Sequence, residues 1–159
     1  MKFTIVTIGK IKEPYLKAGI EEFTKRLRPY CQLQIVELPE ERMPDKPSEA
    51  EKQQVLEKEA EKMLRQVKED AYVIALDLHG KSISSEELAE QFSKLALQGS
   101  SHITFIIGGP FGLSDRIRKA AKQRISFGRL TFTHQMIRLI LTEQIYRAIK
   151  IQRNEPYHW

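Results

Sequence analysis

Residues 103–114 read Ile-Thr-Phe-Ile-Ile-Gly-Gly-Pro-Phe-Gly-Leu-Ser. The branched and aromatic residues that open this run form a strand apolar on both faces. Such a strand has to be covered above and below, which places it inside a sheet flanked by helices. The run then stops at Gly108-Gly109-Pro110-Phe111-Gly112, and Asp115 to Arg124 follows as a basic helical segment. Glycines at the carboxyl end of a buried strand let the backbone approach a ligand closely, and open α/β sheets bind ligands along that edge. A strand-to-helix turn without a ligand fits the same residues equally well.

The rest of the chain supplies the covering helices. Phe3 to Ile8 reads as a first strand, and Pro14 sits well at the first position of a helix whose apolar stripe is Leu16, Ile20, Phe23 and Leu27. Gln32 to Leu38 is a second strand, and Pro39 to Pro47 is a loop. Ser48 with Glu51, and Ser84 with Glu87, form two capping boxes. The first opens a charged helix with Leu56, Ala60, Met63 and Val67 facing inward, the second a helix that buries Leu88, Phe92 and Leu95. Between them Tyr72 to Leu78 is a strand, apolar except at Asp77, ending at His79-Gly80-Lys81. This alternation predicts an α/β fold, a mostly parallel sheet with helices on both faces. At 159 residues the chain suits a single domain spanning 1–159.

Beyond Ser126 the alternation changes. Ser126 to Thr133 reads as a loop plus a short strand around Gly128, and His134 to Ile149 as a helix with Thr133 as its N-cap. That helix has one apolar row, Ile137, Leu141, Ile145 and Ile149, widened by Met136, Leu139 and Ile140. A helix apolar around so much of its circumference is buried on more than one side, which predicts a two-fold homodimer over a purely internal core helix. Residues 150–159 then carry Arg153, Tyr157, His158 and Trp159, types that stack on unpaired bases and grip phosphate. A hydrophobic tail docked on the core fits the same composition.

Charge sharpens the choice of partner. The chain carries +5, but residues 115–159 hold ten lysines and arginines against three acids, leaving the first 114 residues slightly acidic. Such asymmetry suits a polyanion, most simply nucleic acid. Cys31 is the sole cysteine, so no disulfide and no cysteine-based metal site is expected. The four histidines show no metal-ligand spacing, and no metal is expected. Residues 1–8 are too short and polar for a secretory leader, no apolar run approaches membrane-spanning length, and a cytoplasmic location is expected. The phosphate loop, the dinucleotide fingerprint, the nucleophile elbow and the zinc-protease motif are all missing. What remains is three loops, Leu76–Gly80, Gly108–Gly112 and Ser126–Thr133, rich in backbone groups and apolar side chains. That inventory suits a flat heterocycle such as adenine.

Four segments in order then match a known family: Phe105 to Ser114, Leu130 to Arg138, Leu141 to Arg147, and Asn154-Glu-Pro-Tyr-His158. Together they resemble the small SPOUT-class ribosomal RNA large subunit methyltransferases, RlmH type, and the likeness runs over essentially the whole chain. The resemblance implies a carboxyl-terminal trefoil knot, a homodimer, S-adenosyl-L-methionine as cofactor, and methylation of N3 of a pseudouridine in 23S rRNA within the bacterial ribosome. It also implies a cofactor pocket formed by Leu76, Gly108, Phe127, Gly128, Arg129, Leu130, Thr131 and Phe132. Arg153, Tyr157 and His158 would hold the target base, with His158 as proton acceptor. Arg116, Arg118, Lys119 and Lys122 would contact rRNA phosphates. His134, Glu143 and Gln144 are further polar candidates, although helix capping and interface bonding account for them as well. Two alternatives stand beside this reading: a SPOUT methyltransferase acting on tRNA, and a non-catalytic ribosome-binding protein of the same fold.

Overall fold

The computed structural model describes residues 1–159. Five strands and five helices follow in the order β1 (Lys2–Ile8), α1 (Pro14–Leu27), β2 (Gln32–Leu38), α2 (Glu49–Arg65), β3 (Tyr72–Ser82), α3 (Ser85–Leu97), β4 (His102–Ile107), α4 (Asp115–Ala120), β5 (Gln123–Ser126) and α5 (Met136–Gln152). The sheet has the order β2-β1-β4-β3-β5, and every pairing in it is parallel. No helix is long and apolar enough to cross a membrane.

The two-sided burial expected of residues 103–107 is realised with period 2. Phe3, Ile5, Ile103, Phe105 and Ile107 point to one face, where they pack with Leu88 and Phe92 of α3 and Leu141 and Ile145 of α5. Val6, Ile8 and Ile106 point to the other, against Ala60 and Met63 of α2 and Ile117 of α4. Phe92 lies 5.0 Å from Phe3 and 6.3 Å from Phe105, centroid to centroid, in tilted and edge-on contacts. Both capping boxes form: Ser48 and Ser84 accept from the amides of Glu51 and Glu87, whose carboxylates accept from the cap amides in return.

Four expected boundaries shift. β3 continues to Ser82 through an irregularity in which Leu76 and Lys81 both register with Ile125 of β5. Residues 77–80 loop out there, and Gly80 is pressed so close to β5 that a Cβ would lie 2.7 Å from the Arg124 carbonyl carbon. The basic helix ends at Ala120, and Arg124 lies in β5 instead. Residues 127–135 contain no strand; the strand of that region is Gln123–Ser126. Thr133 does cap, its Oγ1 accepting from the Met136 amide at 3.1 Å, but a turn at 134–135 intervenes before α5 begins.

Candidate active site

Because the strands are parallel, the loops leaving β1, β3, β4 and β5 share one edge of the sheet. They enclose a cleft of about 900 Å³, closed on one side by Glu13, Tyr15 and Leu16 at the start of α1. The chain moves outward from β1 to β2 but returns across the sheet to β3, so this edge holds the topological switch at which open α/β sheets take ligands. Of the cofactor residues expected from sequence, Leu76, Gly108, Phe127, Gly128, Leu130, Thr131 and Phe132 line the cleft. Arg129 is exposed and is not part of the lining.

Backbone geometry makes the cleft receptive. A Cβ on Gly108 would run into the carbonyl of Gly112, whose own amide donates to the Gly109 carbonyl at 3.0 Å. Gly112 and Gly128 have φ of +81° and +111°, a region that favours glycine. Ser126 Oγ both donates to the Gly128 carbonyl at 2.8 Å and faces the Gly128 amide at 3.2 Å, fixing the start of the 127–132 loop. The amides and carbonyls of residues 129–132 make no hydrogen bond within the chain. Exposed Phe111, Leu130 and Phe132 supply apolar walls around these free backbone groups. Backbone donors and acceptors between apolar walls fit an adenine ring.

One corner of the cleft is charged. Asp77, 7% exposed, accepts from the His79 amide at 3.1 Å, Arg118 Nε at 2.8 Å and Arg124 Nη1 at 3.3 Å. Burial alone would raise its pKa, but the Arg118 and His79 hydrogen bonds and the two guanidinium charges hold it below the ordinary carboxylate value. Arg118 is thus tied into the cleft wall, whereas Arg116, Lys119 and Lys122 stay exposed.

The opposite wall carries His134 and Gln135, with Gln135 Oε1 accepting from the Lys12 amide at 3.0 Å. Behind them lies Arg138, 0% exposed and the largest fully buried side chain of the protein. Its Nη1 donates to Glu37 Oε2 at 2.9 Å, Nη2 to the Ile8 carbonyl at 2.8 Å, and Nε to the His134 carbonyl at 3.3 Å.

Arg153, Tyr157 and His158 lie outside this cleft, held along α5. Tyr157 donates to Glu143 Oε1 at 2.8 Å, and its ring packs edge-on to Tyr146 and beneath the Arg147 guanidinium. Burial and the Glu143 carboxylate push its hydroxyl up to about 12. His158 Nδ1 is 3.1 Å from Arg147 Nη1, and Nε2 is 2.7 Å from Glu86 Oε1. Arginine has no acceptor, so Nδ1 accepts and Nε2–H donates to Glu86. Arg153 Nε donates to Glu155 Oε1 at 3.0 Å, and its guanidinium covers Tyr30. Glu155 also accepts from the Tyr30 hydroxyl and from Lys150; these bonds hold it down to about 2. Trp159 is 97% exposed. A second cleft of about 290 Å³ adjoins the main one, sharing Ser126, Phe127, Gly128 and Phe132 with it and lined as well by Ser84, Ser85 and Gln144.

Three features escaped the sequence reading. Asp77 stood out only as the lone charge in an apolar strand. In sequence Arg138 is only one of the ten cations of residues 115–159, although it interrupts an apolar helix face. Glu59 of α2 is 3% exposed against Gly109, and burial raises its pKa to about 7; nothing in its surroundings in sequence marks it.

Comparison with known proteins agrees with this architecture. A family model described as "Predicted SPOUT methyltransferase" matches residues 1–158. Proteins named "Ribosomal RNA large subunit methyltransferase H" from Clostridioides difficile, Listeria monocytogenes and Enterococcus faecalis are 54%, 52% and 48% identical to this chain. Each alignment covers 158 residues, 99% of this chain and 99% of the relative.

Proposed function

The chain belongs to the SPOUT methyltransferase family, and from that premise we propose that it methylates N3 of a pseudouridine in 23S rRNA, with S-adenosyl-L-methionine as methyl donor. The observation that carries this reading is the full-length identity of about half to relatives named for large-subunit rRNA methylation. The glycine-lined cleft adds a site of matching chemistry. We read the chain as a single domain that acts as a homodimer. Met136, Leu139 and Ile140 of α5 stay half-buried in the single chain, leaving apolar surface for a second copy.

The bound donor supplies an activated sulfonium methyl. Leu76, Gly108, Phe127, Gly128 and residues 130–132 would hold its heterocycle by backbone hydrogen bonds and apolar contact, with Arg129, which does not line the cleft, joining the two parts of that loop. The chain's main task is alignment, since bringing N3 in line with the methyl replaces a bimolecular encounter by an oriented one. Tyr157, His158 and Arg153 are the residues proposed to hold the target base. In the single chain they are fixed outside its own cleft, so a second subunit is the natural source of the tail that completes the site. The exposed cations Arg116, Lys119 and Lys122 would add phosphate contacts and a marked salt dependence.

Incubating ribosomal particles from a strain lacking the enzyme with the purified protein and isotopically labelled donor, then mapping the rRNA by mass spectrometry, tests the reading. One labelled methyl on N3 of a pseudouridine in 23S rRNA is expected. Label on tRNA, or no label in either RNA, would replace it with one of the two alternatives.

A further inference from the structure

The proton on N3 needs an acceptor, and His158 has both ring nitrogens engaged, by Arg147 and by Glu86. His134 is the opposite case. It lines the cleft, yet neither ring nitrogen makes a hydrogen bond. Nε2 is buried without a partner, facing Glu40 Oε1 at 3.7 Å. Nδ1 is not among the buried unsatisfied atoms and so retains solvent access.

The surroundings of His134 are built for this placement. Arg138 Nε holds its backbone carbonyl at 3.3 Å, and Thr133 caps the turn before it. Glu40 reaches the ring because position 9 is glycine: a Cβ there would lie 2.7 Å from Glu40 Oε1. A carboxylate 3.7 Å from Nε2, close enough to favour a proton there, and an Nδ1 without a partner are the arrangement of a base ready to accept.

Resting on the methyltransferase reading above, we propose that His134 is the catalytic base of the reaction, with Glu40 and Arg138 as its positioning residues. The proton leaves N3 for His134 Nδ1, and the electron pair of the N–H bond stays on N3. That pair forms the new N–CH3 bond while the C–S bond of the donor breaks onto sulfur. The imidazolium keeps its second proton on Nε2 against Glu40 and returns the first to solvent.

The groups that face the ring set its protonation. Burial first, then the Arg138 and Lys12 charges, lower its pKa from the ordinary 6.5, and Glu40 opposes them. Arg138 is in turn paired with Glu37, and Glu13 lies on the same cleft wall. The ring is therefore unprotonated at neutral pH, able to accept.

Two readouts test the proposal. By 15N NMR of the free protein, the His134 ring should titrate below 6.5, and Glu40→Gln should move that titration to still lower pH. With ribosomal particles, His134→Gln should lower kcat by about 100-fold or more, leaving donor affinity within about two-fold and abolishing the acid limb of the rate profile. Glu40→Gln should reduce kcat less and shift that limb to lower pH. Retained turnover in His134→Gln, or an acid limb of the rate profile that survives in that variant, overturns the assignment. Donor affinity that falls in step with kcat would do so as well, making His134 a binding residue. Failure of the wild-type protein to methylate any particle would instead sink the methyltransferase reading beneath it.

Discussion

The cleft and the tail are both assembled late in the chain, yet their polar groups are treated in opposite ways. Around the cleft, the backbone of residues 129–132 and both nitrogens of His134 are left without partners. Along the tail, Tyr157, His158, Arg153 and Glu155 are each tied to at least one neighbour from α3 or α5, to Tyr30 in the turn after α1, or to one another. Unsatisfied polar groups cost free energy unless something else completes them. A region that leaves them free is suited to receive a ligand, and a region that satisfies them is suited to hold a fixed shape. The cleft is a receptor and the tail is a presented surface.

The largest expected effect comes from removing the buried cation behind the cleft. Arg138→Met strips the donors from the Ile8 carbonyl and from Glu37, and should destabilise the protein by about 3 kcal/mol in urea unfolding. That lies at the lower end for a broken buried pair, because Glu37 keeps access to water. Next, Gly108→Val should press a branched side chain into the Gly112 carbonyl and weaken donor binding by about 100-fold in calorimetric titration. Circular dichroism should show the sheet retained, with a lowered unfolding midpoint from the overpacking. The tail predicts the reverse pattern. Glu143→Gln weakens the hold on Tyr157 and Arg147, and should lower methylation of ribosomal particles by about 10-fold while donor affinity stays unchanged. Equal effects of Gly108→Val and Glu143→Gln on donor binding would erase the distinction between the two regions.

The smallest effect is one of pH. Glu155 has its pKa depressed from 4.5 to about 2 by Lys150, Tyr30 and Arg153. A depressed carboxylate stabilises above its unfolded pKa, and that contribution is lost as pH falls through the folded value. Amide exchange at residues 154–158 should therefore quicken, relative to the core strands, between pH 4.5 and 2. The Glu155→Gln variant should show faster exchange already at neutral pH.

Much of the scaffold was legible because it is written locally. The capping boxes at Ser48 and Ser84, the Leu88–Phe92–Leu95 stripe and the apolar run 103–107 depend on residues three or four apart, or on period 2. The errors fall where a distant partner decides. β3 runs past Leu78 because β5, about 45 residues on, accepts Gly80 against its backbone. In sequence Arg138 adds only to the carboxyl-terminal charge, and its burial depends on Ile8 and Glu37, 130 and 101 residues away. The three loops are visible in the residues themselves, but the individual cofactor residues rest on the family resemblance, which marks Arg129 along with its neighbours without saying that it stands outside the cleft lining. Likewise the motif names His158 without showing that Glu86 and Arg147 already engage it.

The central claim is that the carboxyl edge of the sheet, and not the tail, takes the methyl donor. Titrating S-adenosyl-L-methionine into the 15N-labelled protein and following its amide resonances tests this most directly. The account predicts saturable shifts concentrated at Leu76, Gly108 and residues 127–132, with residues 153–158 little changed. Shifts centred on residues 153–158, or none at all at saturating donor, would contradict it.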